Sequence, residues 1–113
     1  MGINTHVYSY WGVRTEWNDE LSNDWEDQYK NPDNVDALFD CYSAEYMVFG
    51  VQLYDSGDAR WGEMYNSNEV DIYPEKLDTL RYEYMQQFKK LYPQHYEWLA
   101  EKPWRLVNLV HLS

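Results

Sequence analysis

Twenty of the 113 residues are Asp or Glu, and ten of these crowd between positions 15 and 45 beside a single base, Lys30. Carboxylates in such numbers can act in pairs as general acid and base, can ligate calcium, or can present a continuous negative potential to a cationic partner. Spacing separates these uses. Acid–base pairing is uninformative here, because twenty carboxylates always contain some suitable pair. Calcium needs oxygen ligands at alternate loop positions with a glycine at the sixth, which neither residues 33–40 nor residues 55–58 provide. The chemistry left is that of a surface: Glu16, Asp19, Glu20, Asp24, Glu26 and Asp27, extended by Asp33 and Asp36, facing a basic protein.

The other reactive residues point nowhere in particular. His6, His95 and His111 lack the spacing of zinc ligands on a helix. Cys41 follows Asp40, whose charge disfavours a thiolate, and as the one cysteine it excludes an intrachain disulfide and fits a reducing compartment. No G-x-S-x-G, G-x-x-x-x-G-K or H-E-x-x-H pattern occurs. The sequence thus assigns no catalytic residue, no metal site and no cofactor.

Charge excludes further classes. Nine Lys and Arg against the acids leave a net charge of −11, which disfavours direct binding to nucleic acid or to an anionic membrane. The imbalance is regional: residues 1–73 carry fifteen acids and three bases, residues 74–113 five acids and six bases. No apolar run reaches the roughly 18 residues of a membrane span, and the N-terminus lacks the basic and apolar segments of a signal peptide, so the expected address is cytoplasmic, or the host cytoplasm for a phage-encoded protein. With 12 Tyr, 6 Trp and 3 Phe the chain is too aromatic for a disordered acidic segment. It reads as one domain, residues 1–113.

The elements that must position the acids follow from pattern. Residues 4–13 predict a strand. A helix is expected over 16–30, capped by Thr15 and stopped by Asn31-Pro32, with Trp17, Leu21, Trp25 and Tyr29 on its apolar arc and acids on the other side. Residues 37–39 and 44–54 predict strands, the second buried on both faces, with Gly50 marking a bulge or a close approach. Asp55-Ser56-Gly57-Asp58 predicts a turn into a strand at 59–64. Pro74 opens a helix that Pro93 ends, a short helical stretch follows over 94–101, and 104–112 is a last strand. The fold class is α+β: a mainly antiparallel sheet of four to five strands with two to three helices packed on it.

These features suit a small acidic inhibitor or decoy, similar in charge to DNA, that blocks a basic nucleic-acid-handling protein, as a phage or mobile-element product would. An immunity protein against a toxin nuclease fits them equally. Tyr42 and Trp61, near turns, are the expected aromatic anchors. A homodimer would extend the anionic surface. Three other readings compete: a carbohydrate-binding domain or small hydrolase using exposed aromatics with carboxylates, a structural homo-oligomeric subunit, and a solvated face that only keeps an aromatic-rich protein dissolved.

Overall fold

The computed structural model of the chain describes residues 5–56 and 70–112. Four strands, β1 (Thr5–Glu16), β2 (Ala37–Phe39), β3 (Tyr46–Asp55) and β4 (Arg105–Leu112), form one antiparallel sheet in the order β2-β3-β1-β4. Three helices, α1 (Asp19–Asp27), α2 (Pro74–Leu91) and α3 (Tyr96–Ala100), accompany it, with a 3-10 turn at Pro93–His95. This is the α+β arrangement that the pattern predicts. The expected strand at 59–64 lies outside the described residues.

One face of the sheet carries the main core. Val13, Met47 and Phe49 meet Leu21 of α1, Tyr84, Met85 and Phe88 of α2, and Leu99 of α3. Phe49 is the hub, with the rings of Trp25, Phe39, Phe88 and Trp98 within 6.2 Å of its own. Helix α2 spans the residues expected of it, because Pro74 suits a first turn, the 77/80/84/88/91 pattern buries one stripe, and Lys89 and Lys90 complement the C-terminal dipole.

The first helix is shorter than its sequence suggests. Thr15 does not cap it: Thr15 and Glu16 remain in β1, paired with Met47 and Tyr46. The cap is Asn18, whose side-chain oxygen accepts from the Leu21 N–H at 3.0 Å. At the other end, turns at Gln28 and Asn31 stop the helix at Asp27, so Tyr29, expected on the apolar arc, is 72% exposed. A second correction concerns β3, which starts at Tyr46 rather than Ala44. Ala44 adopts a left-handed φ of 51° in the β2–β3 connection, where the Asp40 carboxylate accepts from the N–H groups of Ser43 and Glu45. Gly50 is a close approach and not the bulge; the register shift falls between Ser9 and Tyr10.

β3 is buried on both faces only over residues 47–50; beyond Gly50 it is intermediate or exposed, so the expectation of a fully buried strand holds for its first half alone. On the face away from the main core sit Tyr10, Val48 and His111, all under 9% exposed. Tyr10 lies mid-strand in β1, and its hydroxyl donates to Gln52. His111 lies opposite His6 across β1 and β4, with Tyr8 edge-on at 5.9 Å and the Tyr46 hydroxyl 2.9 Å from Nδ1.

Desolvation lowers the His111 imidazole below its ordinary 6.5; nearby His6 adds to this, while Asp40 opposes it. The unfolded chain therefore takes up this proton at higher pH than the folded one. The contribution of His111 is fully present above about 6.5 and is lost as the pH falls from there toward the folded value. Urea midpoints are expected to drop on acidification from neutral pH to about pH 5, and His111→Gln to flatten that slope. An unchanged slope in the variant would assign the proton uptake to other groups.

Candidate acidic binding face

Helix α1 is held by its aromatic side. Trp25 stacks on Tyr92 at 5.1 Å and tilts against Phe39 at 5.0 Å, while Leu21 is fully buried. At about 100° per residue, Asp19, Glu20, Asp24, Glu26 and Asp27 then fall within an arc of roughly 160° on the opposite side. All but Asp24 are exposed. Asp19 also accepts from the Trp17 indole N–H at 3.1 Å.

The loop that follows carries Asp33 and Asp36, both exposed, and three donors on α2 and just beyond its end hold it, two through its backbone and one through the Asn34 side chain. Gln87 donates to the Asp33 carbonyl at 2.7 Å, the Tyr92 hydroxyl to the Asn34 side chain at 2.8 Å, and the Tyr84 hydroxyl to the Asp36 carbonyl at 2.5 Å. Burial pushes the Tyr84 phenol far up and the Tyr92 phenol up to about 12, so both stay protonated and remain donors. Asn34 also ties back to the end of α1 through the Gln28 carbonyl. Tyr84, Gln87 and Tyr92 are positioning residues that charge patterning alone misses. Their spacing of three and five residues along one side of α2 is the signal, and it reads equally well as core.

The dipole favours Asp19 and Glu20 in the first turn of α1, but the C-terminal part of the face is built against electrostatic preference. Glu26 and Asp27 sit in the last turn of α1, which holds no base. There the partial negative charge of the helix end opposes them by about 0.3–1 kcal/mol each. Glu20 and Asp24 are like charges one turn apart, a further few tenths. Among the described residues no Lys or Arg lies at ion-pair distance from a carboxylate; the described pairs are both made by histidines. Three cations lie instead over aromatic rings: Arg14 over Tyr46, Lys89 over Tyr96 and Lys102 over Trp98, at 4.8 to 5.0 Å.

Not every acid expected here belongs to the face. Asp24 is bound to the buried His95 at 2.6 Å, which locks α1 to the 3-10 turn beside an open cleft of about 430 Å³ lined by Glu20, Asn23 and Gln94. Glu16 is exposed but lies at the end of β1, not on the helix. Tyr42 is 67% exposed at the tip of the β2–β3 hairpin, and Trp61 lies outside the described residues. Tyr29, directly after the acidic helix, is the exposed aromatic nearest to it in the chain.

Other chemistries find less support. Burial would raise the Asp40 carboxyl, but N–H donors from Glu45, Ser43 and Tyr42 outweigh it and hold the group below its ordinary value, the opposite of what a general acid needs. Among the described residues no group of three or more His, Cys, Asp or Glu is arranged to hold a metal ion, and no helix is long and apolar enough to cross a membrane. Compared with models of known families, with curated proteins and with solved structures, the chain matches none.

Proposed function

We propose that the chain is a small acidic binding protein that occupies the cationic surface of a nucleic-acid-handling protein, as an inhibitor or decoy of phage or mobile-element type. The observation that carries this reading is the placement of Glu26 and Asp27. Exposed acids at a helix C-terminus weaken the helix that bears them, and solubility is served as well by acids elsewhere on the surface. Glu20 extends the same arc, and Asp33 and Asp36 stand on a loop braced by α2. A rigid acid array keeps the entropy lost on binding small, the acids speed encounter with a basic surface, and Tyr29 beside them is suited to slow departure.

The test separates stability from binding. Glu26→Lys and Asp27→Lys are each expected to raise stability by about 0.3–1 kcal/mol, because the dipole then favours the side chain. The combined variant with Glu20→Lys is expected to lose capture of a basic nucleic-acid-binding protein from lysate at low salt. Asp24 is left unaltered, since reversing it would break the bond to His95 and confuse the two readouts. Unchanged capture by a stably folded triple variant would remove α1 as the contact. An immunity protein would behave identically, with its toxin nuclease as the captured partner.

A further inference from the structure

The sheet has two edges of very different character. β2 is three residues long and flanked by Asp33, Asp36 and Asp40, whereas β4 runs for eight residues, Arg105–Leu112, and contains no acid. Among the described residues no strand pairs with the outer side of β4. On the same face of β4, Leu106 and Val110 are 50% and 60% exposed. A long apolar edge on which no described strand lies is a template for another strand.

We propose that β4 pairs antiparallel with β4 of a second copy, extending the sheet across a two-fold axis. Two observations select a second copy over a foreign strand. The segment Leu106-Val107-Asn108-Leu109-Val110 is apolar-symmetric about Asn108. Antiparallel pairing centred there sets Leu106 against Val110 of the partner strand, Val107 against Leu109, and Asn108 against itself, as an isologous contact requires. Charge is the second. Two chains of net charge −11 repel over most of their surfaces, and β4 is the edge where no carboxylate opposes another. Centred on Asn108, residues 105–111 of the two strands oppose one another; seven residues at about 3.4 Å give a ladder of roughly 24 Å, a small contact, so association is expected in the micromolar range.

The pairing does not depend on the acidic face having a partner, and salt distinguishes the two. Screening weakens capture through α1 but strengthens β4 pairing, because it relieves repulsion between like-charged copies. Sedimentation equilibrium of the intact chain is expected to show a monomer–dimer equilibrium that tightens with salt. Val110→Lys, an exposed change, should weaken it at least tenfold, and charge reversal at Glu20, Glu26 and Asp27 should not weaken it. In a Cys41→Ser background, oxidation of Asn108→Cys should yield a disulfide-linked dimer. Leu106→Cys should not, since its two copies would be about 14 Å apart. A monomer at all concentrations, or a dimer indifferent to Val110→Lys, overturns the proposal. Linkage through Leu106→Cys but not Asn108→Cys overturns the register.

Discussion

Phe49→Ala is expected to lower stability by about 3–5 kcal/mol, a large part of the 5–15 kcal/mol that holds a typical domain folded. The ring is fully buried and touches Trp25, Phe39, Phe88 and Trp98, from α1, β2, α2 and α3. Its loss removes the shared contact of four elements, and a neighbouring ring cannot fill the space without abandoning its own partner. Chemical denaturation measures the effect directly. A loss below about 1 kcal/mol would mean that the core collapses into the space and that Phe49 is not its hub. Trp25 leans on both Phe49 and Tyr92, so the far-side acids of α1 should lose their fixed orientation in this variant before the sheet itself melts.

Gly12→Ala and Gly50→Ala are expected to be worse than their size suggests. The two glycines face each other across β1 and β3. A Cβ on Gly12 would stand 2.7 Å from the Gly50 Cα and collide with the Phe49 carbonyl, and a Cβ on Gly50 would stand 2.6 Å from the Gly12 Cα and collide with the Trp11 carbonyl. The obstacles are backbone, which cannot swing aside as a side chain can, so the strands must part. One methyl group should then destabilise by about 3 kcal/mol or more, the upper range for overpacking, and the thermal midpoint should fall accordingly. A variant that melts within a degree or two of the parent would show that the strands do not approach this closely.

The elements most legible in the sequence are those with local punctuation. Helix α2 lies between Pro74 and Pro93 and carries an unbroken apolar stripe, so both its ends and its buried side follow from the chain alone. Helix α1 was legible as a helix but not in extent. Thr15 and Asn18 are both competent caps, and pairing with Met47 and Tyr46 decides between them by keeping residues 15 and 16 in the sheet, a tertiary effect. The shorter helix in turn moves Tyr29 from core to surface.

The acidic face was visible as composition, but its membership was not. Asp24 is separated from its neighbours by a histidine 71 residues away, which no pattern within the helix reveals. The bracing of Asp33 and Asp36 by Tyr84, Gln87 and Tyr92 was hidden because tyrosines at helical spacing look like core, and two of these are core and brace at once. The symmetry of residues 106–110 was on view throughout, and it acquired meaning only when β4 proved to be an edge.

Competition between this chain and duplex DNA for the captured protein tests the central claim most directly. The basic partner retained at low salt is titrated with duplex, and its release is followed for the parent chain and for the variant reversed at Glu20, Glu26 and Asp27. If the acids of α1 occupy the nucleic-acid surface, duplex displaces the chain in proportion to its concentration, the chain inhibits DNA binding in return, and the reversed variant does neither. Simultaneous binding of duplex and chain to the same partner, or inhibition that survives the three reversals, would contradict it.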